Sequence, residues 1–247
     1  WTYLTLTRLG VGHFKIADPG AFDAQDANRQ AGCCFRNLGR NKAEVLREEI
    51  QYINPEADVE VFRAGVNGEN VGDFLSNGSI VVDGVDLNAL PAKKCLYDTA
   101  RAENLAVVSA PVLGYGSAVA VFHPRKSPCF ERYFGPVPDD MESDEYRSYI
   151  QRFGVGYFGF RPKIDWQKYL HQVHKKQVPS LGIACMLSGA LATSAVVAWV
   201  LGRNQYPVVP STTHVDLGKG KLVRVGRFRR NLLRIATACF FRFKRIL

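Results

Sequence analysis

The sequence lacks the cysteine spacing of a structural zinc site. Six cysteines are spread over 247 residues, none forms a Cys-x-x-Cys pair, and Cys33 and Cys34 are adjacent. This excludes the usual zinc-binding motifs and a small disulfide-stabilised scaffold, so we expect free thiols in a reducing compartment. Trp1–Gly10 also lacks a signal-peptide pattern. We therefore expect a cytoplasmic protein.

Acidic residues are absent after Asp216. Residues 217–247, the basic tail, carry ten of the 32 basic residues, which leaves 22 basic against 23 acidic residues in the rest of the chain. The net charge of +9 therefore belongs to the tail, and it argues against a general nucleic-acid binder. From Arg229 onward, apolar and basic residues interleave as in an amphipathic helix. Two interpretations remain open: packing on the domain or a subunit, and weak contact with an anionic membrane surface or an acidic partner.

One stretch, Ile183–Leu201, has the length and lack of charge of a short membrane span. It is rich in alanine, serine, threonine and glycine, and it ends at Gly202. This composition favours a helix that is buried on most sides inside a domain.

Helical and strand patterns alternate through the first half of the chain. Helices are predicted at Tyr3–Leu9, Leu38–Ile53, Asn70–Leu75 and Leu90–Asn104. Strands are predicted at Phe14–Asp18, Val59–Arg63, Ser79–Asp83, Leu105–Ser109 and Gly114–Phe122, with two more inside Val208–Val225. Such alternation predicts an α/β protein with an open sheet and helices on both faces.

The segment Pro124–Pro179 interrupts this alternation. It mixes prolines, glycines and aromatic residues with an acidic patch at Asp139–Glu145, and it is too long for a plain connection. A lid or partner-contacting excursion and an ordinary irregular insertion both remain open.

Charged and polar residues gather at or just after the predicted strand ends. They are Asp18, Asp26, Arg29, Gln30, Lys42, Asp83 and Asp86. Ligands bind beyond the carboxyl ends of strands in open α/β sheets, and an acid at such an end commonly holds a ribose hydroxyl. One arginine and one lysine beside acids suit a polyphosphate and its magnesium ion. Each residue alone is also explained as a solvated charge, and Asp83 as a cap of the following helix.

Several segments have a familiar order and spacing. They read GVGHFKIADPG (Gly10–Gly20), DANRQ (Asp26–Gln30), LGRNKAEVLREEIQYINP (Leu38–Pro55), IVVDGVD (Ile80–Asp86), AVVSAPVLGYGSAVAVF (Ala106–Phe122) and PSLGIACMLSGALATSAVVAWVLG (Pro179–Gly202). In these segments the chain resembles the ThiF/MoeB/HesA family, the bacterial relatives of ubiquitin-activating enzymes. The resemblance covers most of residues 1–216.

The resemblance implies a single adenylation domain over residues 1–216. Its fold would be a Rossmann-like open sheet, parallel in its first half and mixed later, with the excursion at 124–179. It also implies ATP and Mg²⁺ as cofactors, a homodimer, and adenylation of the C-terminal carboxylate of a ubiquitin-like carrier protein or peptide.

The resemblance also assigns residue roles. Asp18 would hold the ribose, while Arg29 and Lys42 would contact the phosphates with Gln30 beside them. Asp86 matches the aspartate that serves magnesium and the adenylation step. In-line attack of a carboxylate on the α-phosphate builds negative charge that cations stabilise.

The chain departs from the family in several places. Asp26 stands among the nucleotide-binding residues where the family has an asparagine, and Leu87 follows Asp86 where an asparagine is usual. The paired zinc-ligand cysteines of some members are absent. Cys129 lies where some members keep a nucleophile, and a thioester-forming role and an inert thiol both remain open.

The first strand and the glycine-rich phosphate loop of the family are also missing from this sequence. Two explanations remain open: an N-terminally incomplete version of an active enzyme, and a non-catalytic relative that binds a peptide or another protein. We expect the 247-residue chain to bind ATP poorly. Redox chemistry with NAD or FAD is disfavoured, because the dinucleotide-binding fingerprint is absent.

Overall fold

The computed structural model describes residues 1–86, 89–140, 143, 145–146, 149 and 180–228. The helices are α1 (Thr2–Arg8), α2 (Lys42–Ile53), α3 (Val71–Leu75), α4 (Leu90–Ala102), α5 (Phe130–Phe134) and α6 (Gly182–Val200). The strands are β1 (His13–Ala17), β2 (Asp58–Phe62), β3 (Ile80–Asp83), β4 (Ala106–Ser109), β5 (Val112–Leu113), β6 (Gly116–Phe122), β7 (Thr212–Asp216) and β8 (Lys221–Val225). Two 3₁₀ turns, Ala24–Asn28 and Phe35–Asn37, connect β1 to α2.

The strands of the described residues form two sheets. β1 and β2 pair in parallel as a two-stranded sheet. The second sheet has the order β3-β4-β6-β7-β8, with β5 paired to β6. β3 and β4 are parallel, and the later pairs are antiparallel. The predicted α/β fold, parallel first and mixed later, is confirmed.

The sequence predicted one open sheet, whereas the described residues form two, and β1 and β3 belong to different sheets. No ladder joins these two strands in the described residues. Phe14 on β1 and Ile80 on β3 nevertheless pack against one apolar cluster, so the two sheets are neighbours. Val82, in the interior of β3, is 37% exposed. Element alternation predicted the type and direction of the strands, but it carries no information about which strands share hydrogen bonds.

The larger sheet is covered by helices on both faces, as predicted. Because side chains alternate along a strand, Val107 and Phe122 face one side while Val108 and Val121 face the other. The first side packs against α4 and α5, and the second packs against α1 and α6. The edge-to-face contacts of the Tyr97 ring with Phe122 and Phe130 join α4, β6 and α5.

Helix α6 is buried along one face rather than on most sides. Its buried residues include Ala184, Ala192 and Ala195, whereas Ile183 and Met186 are about half exposed. Among the described helices it has the length and apolar composition to cross a membrane, and 39% of that apolar stretch is buried in the protein. The sequence overestimated its burial, because a uniformly apolar helix shows no difference between a core face and an exposed face.

The small residues of α6 allow its neighbours to approach closely. A Cβ atom added to Gly189 would lie 2.4 Å from the Cβ atom of Trp1. A larger residue at this position would therefore push the start of α1 away from α6.

Two predicted segments lie only in part within the described residues. In the 124–179 segment, α5 inserts Phe130, Tyr133 and Phe134 into the core, so this part contributes to packing. The residues that would decide whether the segment is a lid lie outside the description. In the basic tail, β8 pairs with β7, so the predicted boundary after Asp216 falls within a hairpin. The amphipathic stretch from Arg229 lies outside the described residues.

A buried polar network lies at the carboxyl ends of β3 and β4. The fully buried side chain of Asp83 pairs with Lys93 on α4, with 2.7 Å between Lys93 Nζ and Asp83 Oδ2. The same carboxylate accepts hydrogen bonds from the Tyr97 hydroxyl at 2.7 Å and the Ser109 hydroxyl at 2.8 Å. The N-cap position of α4 is Ala89. The alternative prediction that Asp83 caps this helix is therefore wrong.

The Asp83–Lys93 pair yields a stability prediction. Replacing Lys93 with methionine would leave a buried carboxylate without its cation, which costs about 3–5 kcal/mol of unfolding free energy. The matched control is Lys94→Met, whose partly exposed lysine pairs with Asp98 four residues on. We expect that variant to change the unfolding free energy by about 0.5 kcal/mol or less. Urea denaturation of the three proteins measures the difference, and equal losses in both variants would contradict the prediction.

Candidate functional site

The turn after β1 brings Asp18 close to the start of α2. Asp18 Oδ1 accepts a hydrogen bond from the Gly20 backbone N–H at 2.8 Å. The Asn41 side chain accepts from Glu44 N at 3.2 Å as the N-cap of α2, and it donates to the Asp18 carbonyl oxygen at 3.1 Å. Asn41 therefore ties the first turn of the helix to the end of the strand.

Sequence reasoning missed Asn41 and started this helix too early, at Leu38. The available signal was an asparagine followed three residues later by a glutamate, the pattern of a helix N-terminus. Lys42 is consequently the first helical residue. A lysine at this position adds positive charge to the positive end of the helix dipole, which opposes helix stability and favours a bound anion.

Three predicted site residues converge directly on a fourth, Asp26. Its Oδ1 atom accepts hydrogen bonds from Arg29 Nη2 at 2.8 Å and from Gln30 Nε2 at 3.0 Å. Its Oδ2 atom lies 3.1 Å from Lys42 Nζ. Asp26 is 3% exposed, so this carboxylate is desolvated and held by charge-assisted contacts.

The backbone of the Arg29 turn is held by residues that the sequence did not indicate. The indole N–H of Trp1 donates to the carbonyl oxygen of Arg29 at 2.9 Å. The Asn28 amide donates to the carbonyl oxygen of Ser180 at 3.3 Å. A Cβ atom on Gly182 would lie 2.2 Å from the Asn28 carbonyl oxygen, so only glycine fits there without movement. α1 and α6 thus fix the turn by contacts between residues far apart in sequence.

Asp86 lies beyond β3 and is exposed. The loop that leads to it is fixed at Val85, whose N–H donates to Asp83 at 3.0 Å and whose carbonyl oxygen accepts from Lys93 at 2.6 Å. The buried network therefore holds the backbone next to Asp86 in place.

The pKa of Asp18 depends on charges from both parts of the site, the turn that holds Asp26 and Lys42 and the loop that holds Asp86. Burial is the main reason that this pKa is raised above its ordinary value. The negative charges of Asp86 and Asp26 raise it further, while the Gly20 hydrogen bond and the charge of Lys42 lower it. Asp18, Asp26, Lys42 and Asp86 are therefore electrostatic neighbours.

The predicted residues thus form two connected groups. Asp26, Arg29, Gln30 and Lys42 touch one another through Asp26. The charges of Lys42 and Asp86 both act on the pKa of Asp18. No hydrogen bond or ion pair joins Asp86 to the others among the described residues.

The donor set fits a magnesium-bound nucleoside triphosphate. Arginine and lysine suit phosphate oxygens, and a carboxylate after a strand suits a ribose hydroxyl. Mg²⁺ is usually bound by one or two carboxylates together with substrate phosphates. In the part of the chain that the structure describes, no three or more His, Cys, Asp or Glu residues are grouped so that they could hold a metal ion. A magnesium ion at this site would therefore need phosphate oxygens of the substrate among its ligands.

The cysteines in the described residues are free thiols, as expected. Cys129 is exposed immediately before α5. A thioester role for this residue stays a prediction.

The ThiF family matches residues 1–232. The SAMP-activating enzyme E1 of Haloferax volcanii is 26% identical over 134 residues, which cover 54% of this chain and 48% of that protein. The tRNA threonylcarbamoyladenosine dehydratase of Escherichia coli is 37% identical over 87 residues, which cover 35% of this chain and 32% of that protein. The chain thus spans a third to a half of the length of these relatives.

Solved structures show the same fold. The crystal structure of Escherichia coli MccB with ATP has a TM-score of 0.63 and 16% identity, and the match covers 92% of this chain and 60% of that one. The complex of the Escherichia coli dehydratase, TcdA, with AMP has a TM-score of 0.55 and 19% identity, with 82% and 81% covered. With the family match extending over most of its length, the chain belongs to the ThiF family.

Proposed function

We propose that the protein is an ATP-dependent adenylyltransferase that activates the C-terminal carboxylate of a ubiquitin-like carrier protein or a peptide. One observation carries the proposal. Asp18 follows the carboxyl end of β1 and feels the charges of Lys42 and of Asp86, which follows β3, while Arg29 and Gln30 share Asp26 with Lys42. This is the place where open α/β sheets bind their ligands. An activating enzyme among the relatives and a related fold crystallised with ATP support it.

Each side chain has a defined task in this proposal. Asp18 accepts a hydrogen bond from the ribose, and Arg29, Gln30 and Lys42 bind phosphate oxygens. A carboxylate oxygen of the carrier forms a bond to the α-phosphorus while the bond from that phosphorus to the pyrophosphate oxygen breaks. The products are an acyl adenylate and pyrophosphate. Because negative charge accumulates on these oxygens, fixed cations lower the barrier.

Asp86 is the residue that would hold magnesium. The bound ion would screen the repulsion between the incoming carboxylate and the phosphates. The exposure of Asp86 leaves its carboxylate open to such an ion, while the Asp83–Lys93 network fixes the backbone that carries it. We also propose that the protein forms a homodimer and that it is located in the cytoplasm.

ATP–pyrophosphate exchange in the presence of candidate carriers tests the reaction. We expect Arg29→Ala and Asp86→Asn each to lower the exchange rate about 100-fold or more, because each removes a group that acts on transferring phosphate charge. The matched control is Arg36→Ala, an exposed arginine on the next 3₁₀ turn, which should exchange at the wild-type rate.

Two outcomes would count against adenylation. Exchange that survives both substitutions would show that the reaction does not use this site. Nucleotide binding without exchange, with every carboxylate-bearing carrier tested, would favour the non-catalytic relative.

The raised pKa of Asp18 predicts how nucleotide binding depends on pH. A ribose hydroxyl donates best to an ionised carboxylate, and Asp18 takes up its proton at a higher pH than an ordinary aspartate. As the pH is lowered, the affinity for adenosine should therefore begin to fall at a pH above the range in which an ordinary aspartate titrates. Calorimetric titration across this range measures the effect. Asp18→Asn should bind more weakly at neutral pH and lose this dependence, and an unchanged profile would contradict the role.

A further inference from the structure

Both cations of the candidate phosphate site are neutralised inside the protein by one buried carboxylate. Asp26 contacts Arg29 at 2.8 Å and Lys42 at 3.1 Å. The exposed fraction of its side chain is 5%, against 23% for Arg29 and 16% for Lys42. The acid is thus the most deeply buried of the three charged groups, and both cations are more open to solvent than it is.

The charge balance of the site is unusual for a site that binds a polyanion. Asp18, Asp26 and Asp86 oppose Arg29 and Lys42, so the five ionisable groups carry a formal charge of −1 when all are ionised. Without Asp26 the same groups would sum to zero. The buried carboxylate of Asp26 therefore changes the formal charge that a phosphate meets from zero to −1.

The cations are also held by anchors that do not involve Asp26. Arg29 Nη1 donates to the Gln25 carbonyl oxygen at 2.7 Å and to Asn28 Oδ1 at 3.1 Å. The backbone of Lys42 is fixed by a hydrogen bond to the Gly20 carbonyl oxygen at 2.9 Å. The Lys42 ammonium lies over the Phe22 ring, 5.8 Å from its centroid. We therefore expect both cations to stay near their present positions when the charge of Asp26 is removed.

We propose that Asp26 is an internal counter-anion that limits the affinity of this site for pyrophosphate-like anions. The proposal rests on the proposed function only in taking Arg29 and Lys42 as phosphate ligands. In the free protein Asp26 satisfies the two cations, and an incoming phosphate must share them with it. Asp26 thereby acts on the phosphate by competing for Arg29 and Lys42, and it need not touch the nucleotide.

Asp26→Asn tests the proposal, because it removes the charge and keeps the shape. A unit charge about 6 Å from a bound phosphate, at an effective dielectric constant of about 20, changes affinity by roughly tenfold or more at low salt. Calorimetric titration with pyrophosphate should show this gain, and it should shrink as ionic strength rises. Adenosine, which carries no phosphate, should bind the variant and the wild type equally. A merely structural role would lower affinity for both probes.

The matched control is Asp23→Asn, which makes the same change of charge on the same turn. Its exposed side chain contacts Gln25 at 3.4 Å and caps the 3₁₀ turn that carries Asp26, a role that asparagine can keep. It should leave pyrophosphate affinity within about twofold of the wild type, because exposed charges are screened. An equal gain in both variants would overturn the proposal, since the effect would then be one of net charge.

The remaining outcomes are equally decisive. Pyrophosphate affinity that is unchanged or reduced in folded Asp26→Asn overturns the inference, as does a failure of both proteins to bind pyrophosphate. If the variant does not fold, a crystal structure of the wild type with saturating pyrophosphate tests the proposal instead. The anion should contact Lys42 and Arg29, with at least one bond to Asp26 lost, and an anion bound elsewhere overturns the proposal. None of these measurements requires adenylyl transfer, so a failed exchange assay leaves the inference standing.

Discussion

The packing of α6 across the sheet is the contact on which both the fold and the site depend. Its alanine-rich face covers the apolar side of β6 and β4 and supports α1. Its first residue, Gly182, lies directly against the backbone of Asn28, and Trp1, which packs against the same helix at Gly189, donates to the carbonyl oxygen of Arg29. The backbone that carries the Arg29 side chain is thus held by residues far away in the sequence, while its guanidinium is held by polar contacts within the turn.

Two buried carboxylates, those of Asp83 and Asp26, illustrate two ways of burying a negative charge. Asp83 is matched by one lysine and two hydroxyl groups, which give a closed network that fixes the loop before Asp86. Asp26 is matched by two cations and an amide, which are themselves partly open to solvent. A closed network contributes rigidity, whereas an open one can exchange its partners. The first arrangement suits a structural support, and the second suits a ligand site.

The sequence was sufficient for the elements and for the family, and insufficient for the pairings. Alternating patterns located β1 to β4 and α4 because periodicity is local information. They did not reveal that β1 and β3 lack a common ladder, because pairing depends on distant residues. Strand ends pointed to Asp18 and Asp86 for the same local reason. That Arg29, Gln30 and Lys42 meet on Asp26 depends on the path of the turn, which Trp1 and α6 determine.

The contact between Trp1 and Arg29 has a practical consequence. An indole whose N–H is bonded to the backbone of a ligand-binding turn senses any change in that turn through its emission wavelength and intensity. Trp1 is partly buried, and its single hydrogen-bond acceptor belongs to the residue whose guanidinium faces Asp26. The molecule therefore carries a native fluorophore where its first helix meets the candidate phosphate-binding residues, so changes in this turn can be followed without a label.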